Sequence, residues 1–277
     1  MRQLSLGFSP CPNDTFIFYG LIHGKIPCPG VQFIEQLEDV ETLNQLALKG
    51  QLDLTKISYH AFGYLRENYV LLRSGGALGR GCGPLVIAAQ ETSMTQLCGK
   101  KIAIPGQLTT ANLLLQLYSD GYEDVLILPF DQIMSAVKHG AADAGVIIHE
   151  SRFTYQQHGL QQILDLGQWW ETETSYPIPL GGILAKRSLG TALISQINRA
   201  LRQSIEYAYA HPGEPQNYIK QHSQELEDEV VRSHIELYVN NFSVDLGEEG
   251  IQAVNCLLKR AEERGIIPKC ELPLFTE

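Results

Sequence analysis

Short apolar runs alternate with amphipathic stretches along most of the chain, and each switch of period marks an expected element. Residues 3 to 8 (QLSLGF) predict a strand, closed by Ser9-Pro10-Cys11-Pro12. A helix follows to about His23, with Asn13 or Asp14 as its expected cap. Val31 to Leu37 predicts a second strand, and Glu38 to Leu48 a helix with Val40, Leu43, Leu46 and Ala47 inward. Leu52 to Ile57 predicts a third strand. The alternation resumes with Pro84 to Ala89 extended, strand Lys101 to Ile104, and a helix carrying Leu113, Leu114, Leu117 and Tyr118 on one stripe. Strand Val125 to Leu128, helix Asp131 to His139 and strand Ala144 to Ile148 complete that unit. Beyond it come strands Gln162 to Leu166 and Ile183 to Ala185, with Trp169 and Trp170 as core or cleft wall. Helices Ala192 to Tyr209, Leu226 to Val239 and Glu248 to Arg264 form a packing layer.

This order predicts an α/β fold with mostly parallel sheets covered by helices. No repeat, low-complexity tract or polar linker divides it. Crossings near residues 88 to 92 and 178 to 182 imply two lobes: a large one from residues 1–89 and 181–277, and a small one from residues 90–180, with a cleft between them.

Composition narrows the partners. A formal charge of -10 and a pI near 5.3 speak against nucleic acid and anionic membranes, which need a basic surface. A small anionic molecule held by local donors is compatible with that balance. The N-terminal MRQLSLGFSP has no apolar h-region and no run is long enough to span a bilayer, so a cytoplasmic protein is expected. Six widely spaced cysteines lacking any CxxC pair suggest free thiols rather than a metal site. The oligomeric state is left open.

Candidate chemistry gathers where strands are expected to end. In GVIIHESRFTY (residues 145 to 155), Val146 to Ile148 run into His149-Glu150-Ser151-Arg152. Histidine at such a tip can exchange a proton near neutral pH. Glu150 could orient that imidazole, although neighbours on an extended chain face opposite ways. Lys56-Ile57-Ser58 ends the third strand. Thr109 and Thr110 open a helix, where a hydroxyl and unpaired N–H groups can hold a carboxylate. The glycine cluster from Ser74 to Pro84 is followed by an extended run, not a helix, so it matches no nucleotide-binding loop. It reads as a close-packed loop beside a ligand or hinge. Cys11 and Cys82 border the same region, without a base that would make either a nucleophile. Except for His60, which lies near Ser58, the other histidines read as structural.

Several long blocks, SPCPNDTFIFYGLIHGKI (9 to 26), LEDVETLN (37 to 44), LTKISY (54 to 59), LRSGGALGRGCGPLV (72 to 86), TTA (109 to 111), GVIIHESRFTY and YVNNFSVDLGEEG (238 to 250), together resemble the 1,4-dihydroxy-6-naphthoate synthases. The resemblance implies a type II periplasmic-binding-protein fold and a lyase of the futalosine route to menaquinone. Such a lyase cleaves cyclic dehypoxanthinyl futalosine without a metal or organic cofactor. It further implies that His149 is the proton acceptor and that Lys56, Ile57, Ser58, Thr109 and Thr110 contact substrate. Asn13 and Arg80 lie in family-like motifs and are expected to contact it as well. Two alternatives stand beside this: a non-catalytic solute-binding protein, and a chorismate dehydratase of the same pathway.

Overall fold

The computed structural model describes residues 1–149, 151–223 and 227–275. In chain order, β1 (Arg2–Phe8) leads to α1 (Pro12–Ile22), β2 (Val31–Leu37), α2 (Val40–Leu48), β3 (Leu54–Ser58), α3 (Tyr59–Leu65), β4 (Tyr69–Leu71) and β5 (Ala77–Gly79). The chain then builds β6 (Leu85–Ala88), α4 (Met94–Leu97), β7 (Ile102–Ile104), α5 (Thr110–Tyr118), β8 (Val125–Ile127), α6 (Ile133–Lys138), β9 (Ala144–Ile147), α7 (Ser151–Thr154), β10 (Gln161–Asp165) and α8 (Leu166–Thr174). It returns through β11 (Ile178–Lys186) to α9 (Thr191–Ala210), α10 (Gln216–His222), α11 (Asp228–Tyr238), α12 (Asn241–Val244) and α13 (Gly247–Glu263).

Two sheets result. The first has the order β2-β1-β3-β11-β4 with β5 also on β11; the second runs β10-β6-β9-β7-β8. Both are mixed rather than mostly parallel. Consecutive βα units supply the parallel pairs β1–β2, β1–β3, β7–β8 and β7–β9. The two strands that follow a change of sheet, β6 and β11, run antiparallel to their neighbours. Periodicity identifies a strand but not its direction. The change of sheet also comes earlier than expected, at residues 80–84, because β6 belongs to the second sheet.

At this crossing the glycine cluster has a steric role. A Cβ on Gly83 would lie 2.3 Å from the Gly167 Cα, so the outgoing and returning segments meet backbone to backbone. Gly181 does the same beside the cleft, where a Cβ would stand 2.6 Å from the Ile57 carbonyl oxygen on the paired strand β3.

One apolar cluster joins the lobes: Ile57, Tyr59 and Phe62 pack in the same group as Ile104, Leu113, Leu114 and the fully buried Trp170. A second cluster packs α1 and α9 on β1 through Leu6, Phe18, Ile197 and Leu201. Within the first, the Tyr59 hydroxyl is fully buried and has no hydrogen-bond partner among the described residues. Removing both the hydroxyl and its unmet demand should cost nothing. Tyr59→Phe is therefore expected to match or exceed the wild type by up to about 1 kcal/mol in urea denaturation. A clear loss would mean that the hydroxyl is satisfied in solution.

Candidate active site

The expected strand tips converge. The carboxyl ends of β1, β3 and β9 and the start of α5 surround a cleft between the sheets whose empty space, open solvent at its mouth included, is about 670 Å³. Asn13, Lys56, Ile57, Ser58, Thr109, Thr110 and His149 all line it.

Its polar wall is built on Asp14. Pro12 stands at the first position of α1 and Cys11 is the N-cap, so neither Asn13 nor Asp14 caps the helix as expected. Asp14 instead turns inward. One carboxylate oxygen accepts from Lys56 Nζ and from Asn13 Nδ2, each at 2.8 Å. The other accepts from the Ser9 hydroxyl at 2.8 Å and the Ser9 N–H at 3.2 Å. Both ions are almost wholly buried, with side-chain exposures of 7% for Lys56 and 1% for Asp14. An ammonium has three hydrogens. Lys56 directs one at Asp14 and a longer contact of 3.5 Å at the Gly75 carbonyl, which leaves one for the cleft.

Ser58 and the threonine pair are held from behind. Asn44 accepts from the Ser58 N–H at 3.0 Å and donates to the Ser58 hydroxyl at 3.3 Å. The same amide donates to the Leu108 carbonyl, while Glu41 accepts from the Leu108 N–H at 3.2 Å. Helix α2 of the first lobe thus grips the residue just before Thr109. Both threonine hydroxyls are already engaged. Thr109 donates to the Gly106 carbonyl and caps Asn112, whereas Thr110 bridges the Tyr59 N–H and the Leu180 carbonyl. What the pair offers a ligand is backbone: the Thr110 and Ala111 N–H groups at the start of α5 have no acceptor among the described residues. A helix N-terminus of this kind favours an anion.

His149 follows β9 with a φ of 56°, a left-handed conformation unusual for a residue with a side chain. It is therefore not extended, and the argument that Glu150 faces away no longer applies; Glu150 lies outside the described residues. The ring's Nδ1 is 3.7 Å from the Cys11 sulfur, and Phe130 packs against it in a T-shaped arrangement with centroids 5.0 Å apart. Arg152, one turn on, pairs with Asp165 at 2.7 Å and donates to the Gly83 carbonyl, tying this turn to the crossing between sheets.

Four expectations need correction or refinement. Arg80 is not brought to the cleft; half exposed, it pairs with Glu249 at 2.9 Å and donates to the Ser175 carbonyl. Cys82 lines the wall, but burial pushes its thiol up to about 12, so it stays protonated. His60 sits behind Thr109, with Nδ1 3.3 Å from the Thr109 carbonyl, and is a tie between lobes. His234, read as structural, is at the site: Nε2 is 3.0 Å from Asn13 Oδ1 and its ring lies 6.1 Å from that of His149, nearly parallel. The signal was present in the sequence. Val231, His234 and Tyr238 form the buried stripe of α11, so His234 is on the apolar face.

Burial lowers His60 to about 4 from its ordinary 6.5. Between those values the unfolded chain takes a proton that the folded chain refuses, so acidification favours unfolding. Stability is expected to be undiminished above about pH 6.5 and to fall by up to about 3 kcal/mol toward pH 4 from this group alone. Urea midpoints measured from pH 7 to 4.5 should show a shallower decline in His60→Asn, which keeps a donor and does not titrate. Parallel declines would remove His60 as the cause.

Comparisons with known proteins agree with this architecture. A family model described as menaquinone biosynthesis matches residues 4–263. The chain is 53% identical over 275 residues to a 1,4-dihydroxy-6-naphthoate synthase of Thermus thermophilus, covering 99% of this chain and 100% of that one. It is 42% identical to the synthase of Streptomyces coelicolor, over 96% and 95% of the two chains. A crystal structure from Archaeoglobus fulgidus superposes with a TM-score of 0.90 at 37% identity, covering 96% and 98%. An alkanesulfonate-binding protein from Xanthomonas axonopodis reaches 0.70 at 16% identity, over 96% and 94%, and shows the periplasmic-binding-protein fold alone. No helix among the described residues is long and apolar enough to cross a membrane. The match over nearly the whole chain, together with this fold, places the protein in the menaquinone-biosynthesis family that includes the 1,4-dihydroxy-6-naphthoate synthases.

Proposed function

We propose that the protein is a lyase that converts cyclic dehypoxanthinyl futalosine into 1,4-dihydroxy-6-naphthoate and a three-carbon fragment, dihydroxyacetone. The observation that carries this reading is a histidine at one side of a cleft whose other walls present a buried ammonium and the open N–H groups of a helix. The substrate has matching parts: an aromatic carboxylate, a ring ketone and a sugar-derived portion. The carboxylate takes the α5 N-terminus, where Thr110 and Ala111 donate. The third Lys56 hydrogen meets the ketone oxygen, and the Ser58 hydroxyl holds the sugar-derived end.

Chemistry then needs one base. Neutral His149 takes the proton made acidic by the ketone, and the electron pair moves toward the carbonyl, where Lys56 stabilises the developing oxyanion. The pair then returns from the oxyanion to break the bond to the sugar-derived portion, the departing three-carbon fragment takes the proton back from His149, and the ring becomes aromatic. Orientation in the cleft supplies most of the remaining acceleration.

Incubation of the protein with cyclic dehypoxanthinyl futalosine, followed by chromatography, should show dihydroxynaphthoate and dihydroxyacetone in equal amounts. Saturable binding without product would identify a solute-binding protein. Consumption of chorismate instead would identify a dehydratase.

A further inference from the structure

Asn13, Asp14 and Lys56 form a chain of hydrogen bonds that does not end at Asn13. Asp14 is paired with an ammonium and has no hydrogen to give, so Asn13 must turn its NH2 toward it. The Asn13 carbonyl then faces away, onto Nε2 of His234 at 3.0 Å. His234 must therefore carry its hydrogen on Nε2. This polarity follows from the carboxylate alone and does not depend on how the amide was oriented. The chain begins on α11, in the C-terminal helical layer, and reaches the cleft on β3 by way of α1.

Every member is buried: His234 is 1% exposed, Asn13 5% and Lys56 6%. A buried carbonyl that loses its donor must rotate, admit water or remain unsatisfied. Rotation would take the amide hydrogen from the Asp14 oxygen that Asn13 and Lys56 share, and the other two results would leave the Asn13 amide without the donor that anchors it. The His234 ring also lies nearly parallel to that of His149, with 8° between their planes. Burial, reinforced by the Lys56 charge and by a proton on His149 once the base has taken one, lowers His234 well below its ordinary range, so it stays neutral beside the base.

We propose that His234 is a positioning residue: as a donor to Asn13 it fixes the Asn13–Asp14–Lys56 chain, and with it the direction of the Lys56 ammonium. This rests on the reading in which Lys56 faces the substrate ketone. Because Lys56 acts on charge that develops during the reaction, loss of its direction falls on kcat more than on KM.

The test compares His234→Phe, a ring without a donor, with His234→Gln, whose amide nitrogen can stand near the lost Nε2. His234→Phe should lower kcat by about tenfold or more with KM within about threefold, and His234→Gln should recover most of it. Two substrate-free NMR measurements accompany the kinetics. The wild-type His234 15N spectrum should show hydrogen on Nε2 alone at pH 7. The Lys56 Nζ resonance, visible only while the ammonium is held in slow exchange, should persist in wild type and His234→Gln and vanish in His234→Phe. If the wild type makes no dihydroxynaphthoate but the Lys56 signal follows this pattern, the functional reading fails and the positioning stands. Equal kcat losses in both variants, an undiminished kcat in His234→Phe, or hydrogen on Nδ1 would overturn the proposal. The wild-type spectrum decides the tautomer even if His234→Phe does not fold.

Discussion

His149→Ala is expected to lower kcat by about a hundred- to ten-thousandfold, the usual contribution of a positioned base, while leaving ligand binding nearly intact. The cleft explains the separation. The open N–H groups at the start of α5, proposed to take the carboxylate, and the Lys56 ammonium are both held independently of the imidazole. Binding of product measured by calorimetry should therefore change by less than about tenfold. The folded state should also tolerate the change, because His149 is only partly buried. Alanine in a left-handed turn pays the same backbone cost that histidine already pays. If the variant retains wild-type kcat, the proton is taken elsewhere and the assignment of His149 fails. If it neither binds nor turns over, His149 acts in binding rather than as a base.

The sequence was most informative where a hydrophobic pattern had only one plausible meaning. Val31–Leu37 and the ends of α9 and α13 follow from period and bracketing residues. Of the long strand β11, the pattern predicts only Ile183 to Ala185, because Pro179, Gly181 and Gly182 look like breakers. In the structure Pro179 sits at a register shift opposite β5, and Gly181 is required by the Ile57 carbonyl. Helix α8 went unread, since a glycine and two tryptophans give no helical stripe. The site follows the same rule. Strand tips are local features, so His149, Lys56–Ser58 and the threonine pair could be located and do share one cleft. Which atom of each residue is available is not local. The threonine hydroxyls are taken by Leu180 and Gly106, far from anything their own segment specifies in the first case and by helix capping in the second. Arg80 was misplaced because the glycine cluster hides β5, after which the side chain turns outward to Glu249.

Asp14→Ala should be the most destabilising single change at the site. It leaves the Lys56 ammonium buried without its counter-charge, a loss of about 3–5 kcal/mol in comparable pairs, and it also strands the Asn13 amide and the Ser9 hydroxyl. At roughly 2–4 °C per kcal/mol for a chain of this size class, the melting temperature should fall by about 6–20 °C. Removing both charges behaves differently. Asp14→Leu combined with Lys56→Met eliminates the unpaired ion and replaces it with apolar volume, which in other proteins restores stability or raises it. The double variant should therefore melt near the wild type, giving a large favourable coupling in the mutant cycle. It should nevertheless make no product, because the ammonium that faces the cleft is gone. A double variant as unstable as Asp14→Ala would show that Asp14 stabilises through Ser9 and Asn13 rather than through the ion pair. A stable double variant that still forms dihydroxynaphthoate would show that the oxyanion is stabilised by some other group, and the role given to Lys56 would fall, taking with it the expected effect of His234 on kcat but not its hold on the Asn13–Asp14–Lys56 chain.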